Sequence, residues 1–243
     1  MINPVAFSLG SLQIRWYGIL LALGFLVGYV IIKKFAKEKK LPPDLVDDFF
    51  VWVIPLGIVG ARVFEVIIYE PTYYFADPIK MLYVWQGGLS SHGGMLGAVV
   101  ATIIVAKKYK INFYAIADLL PIPFFLGAAL GRIGNFINNE LVGKVTSVPW
   151  AVVFNGYDGL RHPSQVYEAL KNVLLGGIAF QVKKTRLPEG CMFWFGLGSY
   201  SLFRFVVELW KDLPTYVGLT IAQWISVPLL VISFIMFYKQ KQT

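Results

Sequence analysis

The sequence predicts an all-α, polytopic integral membrane protein of about seven transmembrane helices, with its N-terminus outside and its C-terminus cytoplasmic. Three observations predict it. Hydrophobic residues make up 57% of the 243-residue chain and charged residues only 15%, where a soluble domain carries about 25% charge. Apolar runs long enough to cross a bilayer, about 20 residues each, recur along the whole chain. Lysines and arginines gather in alternate connections, the asymmetry that sets orientation.

The runs fall at roughly 14–32, 47–69, 91–106, 115–137, 167–182, 191–209 and 219–238, the third and fifth being shorter than the rest. Residues 1–13 are uncharged and Lys33 and Lys34 follow the first run. A signal peptide has the reverse order, so a retained helix is expected. Proline and glycine punctuate the joints, as in Leu41-Pro42-Pro43-Asp44, Pro71, Asp77-Pro78 and Leu187-Pro188-Glu189-Gly190. Only 138–166 is polar and long enough for a small extracytoplasmic segment; otherwise 1–243 reads as a single transmembrane domain. Thirteen of the 22 basic residues, from Lys33 to Lys40, Lys107 to Lys110, Lys183 to Arg186, and Lys239 and Lys241, fall in one set of connections. That set is expected to be cytoplasmic, which places the chain in a cell membrane with an odd number of spans.

Composition also excludes several classes. One cysteine, Cys191, forms no internal disulfide, and His92 and His162 lie 70 positions apart, so neither a metal site nor a cofactor is expected. The net charge of +8 sits on lysines beside apolar runs. It fits an anionic membrane face, and no nucleic-acid partner.

The informative residues are the polar ones inside the runs. Arg62 and Glu65, Arg132 and Asn135, and Arg204 and Glu208 fall toward the outer ends of the second, fourth and sixth runs. His92 opens the third, Glu168 the fifth, and Arg15 and Tyr17 the first. Asp118 alone falls near an inner end. An arginine at bilayer depth costs at least ~2.5–3.5 kcal/mol, so each needs a partner. Arg62/Glu65 (i, i+3) and Arg204/Glu208 (i, i+4) share helix faces; each is either an internal ion pair locking the bundle, the reading favoured for Arg62/Glu65, or a partner for a bound group, the reading favoured for Arg204/Glu208. Arg132 has no acid three or four residues away, so it needs another helix or a bound anion. A guanidinium suits a phosphate, and the outer leaflet supplies phospholipid headgroups. Ser164, after Pro163, is a candidate helix cap. His92, in Gly87-Gly88-Leu89-Ser90-Ser91-His92-Gly93-Gly94, is either a solvated interfacial histidine or a general base.

At these residues the sequence resembles the bacterial phosphatidylglycerol–prolipoprotein diacylglyceryl transferases. Gly131 to Gly143 follows the family pattern G-R-x-G-N-F-x-N-x-E-x-x-G. Ser91-His92-Gly93-Gly94, Arg161-His162-Pro163-Ser164-Gln165-x-Tyr167-Glu168 and Trp16-Tyr17-Gly18 match as well. The resemblance implies transfer of a diacylglyceryl group from phosphatidylglycerol to the lipobox cysteine thiol of a prolipoprotein, forming a thioether and releasing glycerol phosphate. It implies His92, Arg132 and Arg204 as catalytic residues. Tyr17, Asn135, Glu140, Gly143 and Glu208 join the two arginines as substrate-binding residues. His92 as base and an arginine-stabilised thiolate remain alternatives. The chain departs from the family at Leu209-Trp210-Lys211-Asp212-Leu213-Pro214 and at Glu65. Two other classes compete. A flippase would carry charges through both halves of the membrane, and only Asp118 hints at that. A scaffold would use the ion pairs structurally. A membrane protease lacks its motifs here.

Overall fold

The computed structural model describes residues 2–10 and 12–242. They form a helical protein with two small antiparallel pairs of strands. The helices are α1 (Trp16–Glu38), α2 (Leu45–Phe64), α3 (Pro71–Ala76), α4 (Ser91–Tyr109), α5 (Phe113–Ala117), α6 (Pro121–Ile137), α7 (Ser164–Lys183), α8 (Cys191–Glu208) and α9 (Ile221–Lys241). The strands are β1 (Val5–Leu9), β2 (Leu12–Arg15), β3 (Val152–Val153) and β4 (Leu160–Arg161). Each expected run overlaps a helix of 17 or more residues, but the run expected at 115–137 is broken at residues 118–120 into α5 and α6, where Pro121 starts a new helix. By length and composition, Trp16–Glu38, Leu45–Tyr69 and Ile221–Lys241 are apolar enough to cross a membrane, and Pro121–Ile137 is a shorter apolar helix. Large apolar side chains on these helices face outward: Leu26 is 60% exposed, Val51 68% and Phe234 74%. A water-soluble surface does not carry such rows.

The chain divides into two compact units, residues 33–116 and residues 1–32 with 117–243. In the first, α2 packs on α4. A methyl group on Gly93 would run into the Gly60 carbonyl oxygen, and one on Gly97 into that of Leu56. The helices therefore touch backbone to backbone, as small residues allow inside a bilayer. At the other end of this pair, Lys108 Nζ and Tyr109 OH both reach Asp48 Oδ2, at 2.5 Å each. α2 ends in a π-helical turn, Glu65–Tyr69, closed by Glu70 N–H donating to the Glu65 carbonyl at 3.0 Å. Pro71, which has no N–H to continue the ladder, follows it.

In the other unit β1 pairs with β2 ahead of α1, α6 packs on α7, α7 on α8 and α8 on α9. Asp118 accepts hydrogen bonds from Gly190 N (2.8 Å) and Phe193 N (2.9 Å), so it caps the start of α8. Asp118, the acid expected near an inner end, is a structural cap and gives no support to a conduction path. Residues 138–163 are irregular and extended, with β3 and β4 paired inside them. They are pinned to the first turn of α7: Ser164 Oγ donates to the Leu141 carbonyl (2.8 Å) and Gln165 Nε2 to the Glu140 carbonyl (2.6 Å). Ser164 is thus the first residue of α7, not its cap. Its hydroxyl is spent on the polar segment instead.

Candidate active site

The residues singled out on α6, α7 and α8 converge on one carboxylate. Arg132, on α6, places Nε 2.7 Å from Glu168 Oε2. Arg204, on α8, places Nη1 2.6 Å from Glu168 Oε1 and Nη2 3.3 Å from Glu208 Oε2. Lys211, in the loop after α8, puts its ammonium against Glu168 Oε1 and 3.5 Å from Glu208 Oε2. Glu168 and Lys211 are each 1% exposed, Glu208 2% and Arg204 8%. Lys171, one turn along α7 from Glu168, is buried too, with its ammonium 4.8 Å above the Tyr200 ring. Four cations therefore surround two carboxylates. Charges this deep are tolerated because they are paired, and the cations remain in excess.

The shell around the cluster fixes its geometry. Arg132 Nη1 donates to Asn135 Oδ1 (3.1 Å), Asn135 Nδ2 to Glu140 Oε2 (2.9 Å) and Asn138 Nδ2 to Glu140 Oε1 (3.1 Å). Nη2 of Arg132 makes no hydrogen bond among the described residues, and the side chain is 14% exposed. One donor edge of this guanidinium is thus open. Tyr17, at the start of α1, lies over Gly134, where a methyl group would come within 2.7 Å of Tyr17 Cδ2. A side chain at 134 would displace the tyrosine from the turn that carries Arg132 and Asn135.

Gly143 acts through its backbone. Its N–H donates to the His162 carbonyl at 3.1 Å, and it bridges Lys211 in antiparallel fashion. A methyl group there would meet the His162 Cβ at 2.7 Å and the Trp210 carbonyl oxygen at 2.8 Å. The glycine lets two chain segments close in and hold Lys211 against Glu168. Arg161 strengthens the same junction, reaching the Gly143 carbonyl (3.2 Å) and Asp212 Oδ2 (2.7 Å). From the far side, Thr220, in a capping box with Gln223 at the start of α9, donates its hydroxyl to Glu208 Oε1 at 3.2 Å.

His92 and Arg62 lie in the other unit. His92 is on the first turn of α4, with Nδ1 3.2 Å from Tyr69 OH and its ring near that of Phe64. The π turn of α2 delivers Tyr69 to it. Arg62 does not pair with Glu65. Its Nη1 donates to Tyr74 OH (2.6 Å) and to the Gly88 carbonyl (3.0 Å), because the segment after α2 folds back over the guanidinium. Cys191 is fully buried at the start of α8.

Of the residues the sequence reading singled out, Arg132, Arg204, Glu208, Asn135 and Glu140 meet in one connected network. That reading assigned no role to two central members, Glu168 and Lys211. Glu168 is the one acid on α7, a signal in itself, since an acid in an apolar helix requires a cation. Lys211 lies where the sequence departs from the family pattern, and nothing local marks it as buried.

The full length of the chain has counterparts among known proteins. A family model described as prolipoprotein diacylglyceryl transferase matches residues 4–239. The phosphatidylglycerol–prolipoprotein diacylglyceryl transferase of Geobacter sulfurreducens is 40% identical over 245 residues, covering 97% of this chain and 94% of that protein. Its namesake in Bordetella parapertussis is 37% identical over 239 residues, with 94% and 91% covered. That of Wolbachia pipientis wMel is 37% identical over 248 residues, with 97% and 94% covered. With the arginine–carboxylate network on three helices and a match running nearly end to end, the chain belongs to the prolipoprotein diacylglyceryl transferase family.

Proposed function

We propose that the chain transfers the diacylglyceryl group of phosphatidylglycerol to the lipobox cysteine of a prolipoprotein, the first step of lipoprotein maturation, and that Arg132 and Arg204 grip the donor's phosphate. The observation that carries the assignment is their convergence: two arginines from different helices meet on the two oxygens of Glu168. Glu168 sets their spacing, and the surplus of positive charge is left for an anion. A phosphate arriving there meets the open edge of Arg132 in a water-poor site, where preorganised donors are worth far more than in water.

The reaction is a displacement at carbon. The substrate thiol loses its proton and the sulfur attacks the diacylglyceryl carbon bonded to the phosphate oxygen. The S–C bond forms, the C–O bond breaks, and the electron pair leaves on glycerol phosphate. The leaving group gains negative charge as the bond breaks, so cations at the phosphate act more strongly in the transition state than in the ground state. Only the thiolate is nucleophilic. His92 takes the proton, a role supported by the family resemblance and by the hydrogen bond between its Nδ1 and Tyr69 OH, which orients the ring. Cys191, buried at the start of α8, is no nucleophile in this scheme.

Seven spans, α1, α2, α4, α6, α7, α8 and α9, support this chemistry at the outer leaflet of the bacterial inner membrane. Their lengths and the lysine distribution favour that arrangement. α4, α7 and α8 are not among the helices apolar enough to span by composition; they carry His92 with Lys107 and Lys108, Glu168 with Lys171, and Arg204 with Glu208.

The test is transfer by purified Arg132→Ala and Arg204→Ala proteins with phosphatidylglycerol and a lipobox peptide. Each is expected to lose about 10²-fold or more of turnover, the scale for a lost charge-stabilising donor, while still inserting and melting as a folded protein. Near-native turnover in either would remove that arginine from the clamp.

A further inference from the structure

A polar cavity of about 310 Å³ lies in residues 33–116 and shares no residue with the cluster around Glu168. It is formed where the π turn of α2 gives way to α3 and the 3-10 turns Pro78–Leu82 and Val84–Gln86. Arg62 and Lys80 line it with positive charge, Glu65 and Glu70 with negative charge, and Tyr73, Tyr74 and Tyr83 with aromatic surface.

Arg62, Glu65 and Glu70 form no ion pair with one another inside it, although Glu65 lies within the field of both Arg62 and Glu70. Arg62 is 6% exposed and its Nη1 is spent on Tyr74 OH and the Gly88 carbonyl. Its buried Nε has no hydrogen-bond partner. The Nε/Nη2 edge of the guanidinium, the fork that takes two oxygens of one anion, is left without an acceptor among the described residues. Glu65, three residues along, makes no ion pair with it, and neither does Glu70. Lys80 turns its ammonium to Asp77 (3.5 Å) and the Tyr73 ring (4.5 Å). Gly88 fixes this separation. Any side chain there would collide with Tyr74 OH and come within 2.7 Å of Arg62 Nη1, so the backbone lies directly on the arginine. The cavity is a buried donor edge on one side and two unpaired carboxylates with tyrosine faces on the other. The ligand that satisfies both carries an anion and a cation a few atoms apart.

The surroundings say where such a ligand comes from. The same short segment exposes Phe75 (64%), Leu82 (67%) and Trp85 (74%) just beyond the end of a helix long and apolar enough to span a bilayer. Aromatic and apolar residues in that place belong at headgroup level. We propose that this cavity is a headgroup site for a zwitterionic phosphate–ammonium group, such as phosphoethanolamine on a membrane lipid. The phosphate lies against Arg62, and the ammonium lies between Glu65, Glu70 and the tyrosine rings, which attract cations.

Native mass spectrometry of the full chain in detergent tests this with phosphatidylethanolamine and phosphatidylglycerol. Soluble O-phosphoethanolamine and glycerol 3-phosphate serve as competitors. The wild type is expected to retain one phosphatidylethanolamine, displaced by O-phosphoethanolamine at least tenfold more effectively than by glycerol 3-phosphate. Displacement as strong as by the intact lipid would make the free headgroup a ligand in its own right; weaker displacement identifies the lipid. The Glu65→Gln/Glu70→Gln variant is expected to lose retention at least tenfold, with its melting temperature and its transfer from phosphatidylglycerol little changed. Unchanged retention in that variant, or equal competition by glycerol 3-phosphate, would overturn the site. Transfer lost together with retention would instead assign the cavity to the donor lipid.

Discussion

Glu168 is the residue on which the clamp depends. It has no chemistry of its own in the reaction, yet Arg132, Arg204 and Lys211 are all spaced by it. Glu168→Gln keeps the shape and removes the charge that holds three cations together. Breaking a buried ion pair from one side costs about 3–5 kcal/mol. We expect a lower melting temperature and at least a 10²-fold loss of transfer, against a loss of only a few-fold for a surface control such as Lys37→Gln, an exposed residue at the end of α1. Native turnover in Glu168→Gln would show that the arginines hold their positions without it. Lys211 adds a pH dependence. It lies outside the spanning segments, and burial, reinforced by Arg204, pulls its ammonium down to about 8 from the ordinary 10.5. Between those values the folded protein has released a proton that the unfolded chain keeps, so the contribution of Lys211 to stability rises with pH across that window. The cluster meanwhile loses one positive charge. Affinity for phosphatidylglycerol is therefore expected to weaken above about pH 8. Lys211→Arg, which stays charged, should flatten that limb; an identical alkaline limb in the variant would assign it elsewhere. Arg132 and Arg204 were legible in the sequence because an arginine in an apolar run has no cheap explanation. Lys211 was not, because a lysine in a loop reads as solvated until the Gly143 bridge folds it inward.

At the scale of elements, each side chain of the network is delivered by a helix end or by a backbone junction. The helices themselves were readable from the apolar runs between Pro/Gly joints, with ends displaced by up to six residues and the break between α5 and α6 missed. What joins them was not. The Arg62/Glu65 spacing suggested an ion pair, but the segment that folds back after Pro71 takes the arginine for Tyr74 and Gly88 instead. Helical spacing shows which side chains share a face and is silent on a competitor arriving from outside the helix. The same holds for Ser164, whose hydroxyl finds the Leu141 carbonyl before its own helix. The backbone contact of α2 and α4 gives the prediction at this scale. Gly97→Val forces branched carbons into the Leu56 carbonyl, and overpacking of this kind costs about 1–3 kcal/mol. His92 and Tyr69 come from these two helices, so transfer should fall along with the melting temperature in detergent. Gly57→Val, where a new Cβ meets nothing within 4 Å, should change neither. Equal melting temperatures for the two variants would mean that the helices do not rely on this contact.

For the whole molecule, the distribution of charge carries the argument that composition alone leaves open. Apolar content says that helices meet lipid, but it does not say which way they run. The lysine-rich ends, Lys37 to Lys40, Lys107 to Lys110, Lys183 to Arg186 and Lys239 to Lys241, alternate with ends carrying Tyr17, His92, Asn138 and Glu168. Positive residues are retained on the cytoplasmic side, so in the proposed topology the site-bearing ends face outward, where a secreted prolipoprotein presents its cysteine. Seven crossings, the odd number proposed, would put the two termini on opposite sides. The arrangement is testable with single cysteines in a Cys191→Ser background, which should itself retain transfer because that buried thiol takes no part. A cysteine at Gly156, in the turn between β3 and β4, is expected to react with an impermeant maleimide in spheroplasts. One at Thr185, after α7, should react only once the membrane is opened. The reverse pattern would turn the molecule over and leave its arginine cluster facing a compartment without prolipoprotein substrate. Labelling of both from outside would mean that α7 does not cross, and the count of seven would fall with it.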